Sequence, residues 1–75
     1  MKEYIKLLPK KTYNCEPFGL TFMIDGGGKS WWCYYYTHYS KKSDDRIPHF
    51  EGKTIQSTSK KMYNWMSKNM PDLLK

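Results

Sequence analysis

Arginine is almost missing from this 75-residue chain: Arg46 stands alone, and every other basic residue is a lysine. With 13 basic and 7 acidic residues the chain carries +6. Lysine tracks phosphate as a hydrated point charge but lacks the planar fork that reads guanine or clamps a carboxylate. A lysine-only surface therefore suits contact with a phosphate backbone without base reading, and it also keeps a protein soluble. Cysteine is scarce as well. Cys15 and Cys33 are too few for the disulfide framework of a small secreted domain, so two reduced thiols and a cytoplasmic, intracellular setting are expected. No run approaches the ~18 apolar residues of a membrane helix, and Met1 to Leu8 has no apolar stretch behind its charges. Neither a membrane partner nor a signal peptide is expected. Repeats, low-complexity tracts and linkers are also lacking, so residues 1–75 read as one small domain. A core of that size excludes an enzyme with separate cofactor and substrate domains.

Sites of recognisable chemistry are equally sparse. Gly28-Lys29-Ser30 ends like a phosphate loop, but Met23 occupies the place of that motif's first glycine, and Trp31 onward reads as strand, not helix. Cys15, Cys33, His38 and His49 are potential zinc ligands without the close pairing of a zinc knuckle. Cys33 and His38 lie on one strand at a spacing that sends their side chains to opposite faces, which disfavours a nucleophile–base pair. The acidic residues show no paired motif, and Asp44-Asp45 beside Arg46 reads as a solvated turn. No catalytic residue, metal ligand or cofactor is assigned, and a non-enzymatic protein is expected.

What the chain does have is a strong β-hairpin signal. Leu20 to Asp25 alternates branched or aromatic residues with others, Gly26-Gly27-Gly28 supplies turn conformations, and Ser30 to Tyr39 is rich in Trp and Tyr. Around it, Glu3 to Leu8 reads as a short strand closed by Pro9, and Tyr13 to Gly19 as an irregular connection. Ser40 to Arg46 reads as a loop, and Ile47 to Gln56 as a weaker extended stretch. One of Ser57-Thr58-Ser59 is expected to cap a helix running to about Met70, whose stripe of Met62, Trp65, Met66 and Met70 has helical spacing, with Pro71 as its stop. The helix's opposite side, with Lys60, Lys61, Asn64, Ser67 and Lys68, reads as a solvated face. The expected fold class is α+β: a three- to four-stranded, mainly antiparallel sheet around the central hairpin, with one C-terminal helix packed on one face.

Trp31 to Tyr39 is the anomaly, because period two places large rings on both faces of one strand. One helix covers only one face of a sheet, so the other must find a second cover or stay open. An even turn, pairing Phe22 with Trp31, sends Leu20, Phe22, Ile24, Trp31, Cys33 and Tyr35 to the core; an odd turn exchanges the faces. The even case is preferred because Cys33 favours burial. The open set is then Trp32, Tyr34, Tyr36 and His38, flanked by Lys41 and Lys42 and by Lys29. Aromatic rings beside lysines hold single strands of nucleic acid by stacking bases and neutralising phosphates. The same surface suits a protein partner, since Trp and Tyr dominate interface hot spots, or a second copy in a homodimer.

The order of a turn ending Gly28-Lys29, an aromatic strand, a charged loop and Gly52-Lys53-Thr54-Ile55 before a C-terminal helix resembles the single-stranded-DNA-binding transcriptional coactivators of the positive-cofactor-four type. The resemblance covers about Asp25 to Met70, does not extend to the residues before Asp25, and implies single-stranded DNA as ligand. The leading expectation is thus a small non-enzymatic, sequence-tolerant nucleic-acid-binding protein. The alternative is a phage- or mobile-element-type inhibitor or adaptor that binds a host protein, such as a nucleic-acid-handling or defence enzyme, through the same aromatic face.

Overall fold

The hairpin forms the centre of a five-stranded antiparallel sheet in the computed structural model, which describes residues 3–74; Met1, Lys2 and Lys75 lie outside them. In chain order the elements are α1 (Tyr4–Leu7), β1 (Lys11–Asn14), β2 (Glu16–Ile24), β3 (Trp31–Thr37), β4 (Lys42–Ser43), β5 (Phe50–Gly52) and α2 (Ile55–Asn69), followed by a 3₁₀ turn at Pro71–Leu74. The sheet runs β1-β2-β3, and β4 and β5 both pair with the far edge of β3, β4 near its end and β5 near its start. The α+β class and the helix across one face are as expected.

Phe22 pairs with Cys33, and Ile24 with Trp31. The parity is the expected even one, and Leu20, Phe22, Cys33 and Tyr35 face the core, but Ile24, expected there too, is 48% exposed at the end of β2, and the register differs from the expected Phe22–Trp31 pairing. The reason is a longer loop than two glycines would need. The Asp25 carboxylate accepts hydrogen bonds from the amides of Gly27 (3.0 Å) and Lys29 (3.1 Å) and from the Ser30 hydroxyl (2.6 Å), fixing the chain from Asp25 to Ser30. The Ser30 bond first, then the Lys29 amide, holds this carboxyl below its usual range. Of the three glycines only Gly28, at φ +69°, adopts the left-handed conformation.

Other differences trace to particular contacts. Residues Tyr4–Leu7 form one helical turn because α1 packs on α2, with Tyr4 and Tyr63 rings 5.5 Å apart. The segment read as irregular is a tight hairpin: Asn14 pairs with Glu16, and Cys15 reverses the chain at φ +77°. Helix α2 starts earlier than expected. Thr54 is its N-cap, accepting from the Ser57 amide at 3.0 Å, while the Ser57 hydroxyl accepts from the Thr54 amide at 3.1 Å. Thr58 and Ser59 are instead fully buried, their hydroxyls bonded to the carbonyls of Thr54 and Ile55.

The core lies between α2 and the inner sheet face. Met62 and Met66 of α2 meet Cys33 and Tyr35 of β3, with Phe18, Leu8 and Ile47 around them and Leu73 and Leu74 folded over its edge. Cys33 Sγ lies 3.5 Å from Met62 Sδ, and burial pushes its thiol up to about 12, so it is an inert apolar side chain. The buried Tyr35 hydroxyl donates to the Pro9 carbonyl at 2.7 Å.

Gly52 is required by close approach of α2 to β5. A Cβ there would lie 3.0 Å from the Thr58 backbone nitrogen and 2.7 Å from its hydroxyl oxygen. Gly52→Ala should therefore destabilise the fold by about 1–3 kcal/mol, read as a lower midpoint in urea. An unchanged midpoint would contradict this packing.

Candidate functional site

Alternation along β2 and β3 builds a second face opposite the helix. Trp32, Tyr34 and Tyr36 of β3 point there, paired across the ladder with Met23, Thr21 and Gly19 of β2. No helix covers this face among the described residues. Its rings are half-buried, whereas Lys41, Lys42, His38 and His49 are exposed. The rings of Tyr34 and Tyr36 meet edge-on at 6.2 Å, and His49 stacks on Tyr34 at 4.7 Å with 26° between planes. Together Met23, Trp32, Tyr34, Tyr36, Lys41, Lys42, Ser43 and His49 line a shallow hollow of about 440 Å³.

The loop carrying the lysines is pinned by Asp44, which is buried and not in a solvated turn. Its carboxylate accepts from Thr12 Oγ1 of β1 (2.8 Å) and from Arg46 Nη2 (2.6 Å), Nε (2.9 Å) and the Arg46 amide (3.0 Å). Its own amide donates to the Tyr35 carbonyl at 2.9 Å. The Arg46 guanidinium, aided by Thr12, holds the carboxyl at about 2, well below the usual carboxylate range. Arg46, the single arginine, thus completes a structural clamp. On the other side of the loop, Glu16 of β2 accepts from the Ser40 hydroxyl at 2.6 Å.

Lys41 stands at φ +55°, a left-handed conformation that glycine adopts without strain. A lysine here carries a backbone penalty and delivers its side chain to the hollow. Lys41→Gly should accordingly raise stability by about 0.5–1 kcal/mol while weakening ligand binding. Chemical denaturation measured beside a binding titration checks both signs; loss of stability with unchanged binding would refute the assignment.

The residues expected from sequence divide as follows. Trp32, Tyr34, Tyr36, Lys41 and Lys42 come together in the hollow. His38 follows the end of β3, edge-on to Tyr36 at 5.3 Å and outside this hollow, and Lys29 lies exposed on the β2–β3 turn, lining no part of it. Met23, Ser43 and His49 were missed. The signal for Met23 was present in the alternation of β2, but His49 arrives by a loop whose path is set by distant contacts. Among the described residues no three His, Cys, Asp or Glu side chains gather as metal ligands, and no helix is long and apolar enough to cross a membrane. No family model, curated protein or solved structure matches this chain, so the positive-cofactor-four resemblance stays one of element order.

Proposed function

We propose that this chain is a small non-enzymatic protein that binds single-stranded nucleic acid without strong sequence preference, inside the cell, where Cys15 and Cys33 remain reduced thiols. One observation carries the reading: Trp32, Tyr34 and Tyr36 share an uncovered sheet face whose hollow is bordered by Lys41 and Lys42. The rings offer stacking surface to any base, and the lysines neutralise phosphates beside them. With no arginine in the hollow, nothing there makes the bidentate contact that reads guanine, which favours tolerance of sequence.

Titration of intrinsic tryptophan fluorescence with single-stranded oligonucleotides tests the reading. Two phosphate contacts should give a slope of log K against log salt of about −1.4, which Lys42→Ala reduces by about 0.7. Absence of any spectral change at low salt would sink the proposal. A second reading, docking of a host protein, is favoured by Met23, which is 50% exposed at the rim; methionine is enriched at protein interfaces. That reading requires a protein partner retained after nuclease treatment.

A further inference from the structure

Gly19 sits within β2, yet neither its backbone nor its packing calls for glycine. Its φ is not left-handed, and a Cβ there would meet only the Tyr36 carbonyl oxygen, at 3.9 Å. As the cross-strand partner of Tyr36 it belongs to the open face. A glycine inside a strand weakens it and often marks a place where a ligand approaches the backbone closely. Here the missing side chain leaves the floor of a second hollow of about 330 Å³, walled by Lys11, Thr21, Tyr36, His38 and Tyr39. Tyr36 also walls the first hollow, so the two lie on either side of one ring. Lys11, exposed and paired with Gly19, brings a positive charge to the far side.

We propose that the binding face continues past Tyr36 into the Gly19 hollow, so that one nucleic-acid strand crosses both, with Tyr36 between them and Lys11 neutralising a phosphate beyond the reach of Lys41 and Lys42. This extension rests on the nucleic-acid reading above. Charge decides the occupant: level with Tyr36 across the sheet, Lys11 stands on its β1 side and Lys41 and Lys42 on its β4 side, and a polyanion with flat bases satisfies lysines and rings together. From Trp32 to His38 the chain advances about 20 Å at ~3.3 Å per residue. That length spans about six nucleotides at the ~3.4 Å stacked pitch, whereas a trinucleotide is accommodated by the first hollow alone.

The test titrates the full chain with thymidine trinucleotide and hexanucleotide at several salt concentrations, following tryptophan fluorescence. The hexamer should bind about tenfold tighter or more, with a salt slope steeper by about 0.7. Gly19→Leu, which fills the hollow, should abolish the hexamer's affinity advantage and leave the trimer unaffected. Lys11→Ala, on an exposed side chain, should remove the extra slope and keeps the test decisive if Gly19→Leu lowers the melting temperature. Equal affinity for both lengths, or a hexamer advantage that survives both variants, overturns the extension while leaving the first hollow's role standing. Failure of both oligonucleotides to bind wild-type protein overturns the two proposals together.

Discussion

Replacing Trp32 and Tyr36 together by alanine is expected to lower affinity for a single-stranded oligonucleotide by about thirtyfold or more with the fold retained. Each ring that stacks a base contributes about 1–3 kcal/mol, so two rings supply about 2–6 kcal/mol, and every 1.4 kcal/mol is roughly tenfold in affinity. Both side chains stand on the face away from α2, where the backbone ladder with β2 does not depend on them. The fold should lose under about 1 kcal/mol per site. Anisotropy of a labelled oligonucleotide reads the binding without needing Trp32. Tyr13→Ala is the control, because Tyr13 is 67% exposed on β1 and lines neither hollow. Binding within threefold of wild type in the double variant, or an equal loss in the control, would remove the aromatic face from the account.

Asp44→Ala should be the most destabilising single change in the loops, by about 2–4 kcal/mol. It orphans the Thr12 hydroxyl, whose residue is 1% exposed, at a desolvation penalty of about 1–3 kcal/mol. It also removes the bidentate contact that orders Arg46, although that side chain, 34% exposed, can turn to water. A chain of this length has a total stability of only about 4–11 kcal/mol, so the melting temperature should fall by about 8–32 °C. Lys41 and Lys42 lie just before the clamp, so oligonucleotide binding should weaken as well, below the new melting temperature. A melting temperature unchanged within a few degrees would refute the clamp.

The same carboxyl sets a pH dependence. Folding lowers its pKa from 3.8 to about 2, so the stabilisation is fully present above the unfolded value and disappears as pH falls through the folded one. Between pH 5 and pH 2 wild type should lose about 1–2 kcal/mol that Asp44→Asn does not lose, after discounting for the partly exposed guanidinium. Urea midpoints across that range measure the difference. Parallel curves for the two proteins would assign the acid sensitivity to other groups.

The sequence by itself determined the features that depend on neighbours along the chain. Alternation from Leu20 to Ile24 and from Trp31 to Thr37 decided which residues share a face, and the spacing of Met62 and Met66 decided which side of α2 is buried. Residue order specifies both periods directly. Tertiary structure decided the rest. The ladder register followed from how many turn residues Asp25 holds, which shifted the pairing while preserving the faces. The start of α2 followed from a cap at Thr54 and from the need for Gly52, Thr58 and Ser59 to be small where helix meets strand. Asp44 and Arg46 read as a solvated turn because their third partner, Thr12, is 32 positions away in sequence. For the same reason His49 over Tyr34, and Lys11 beside Gly19, had no local signature. Side-chain direction is a property of short-range geometry, but the meeting of distant segments depends on loop paths and buried polar pairs, which no local pattern encodes.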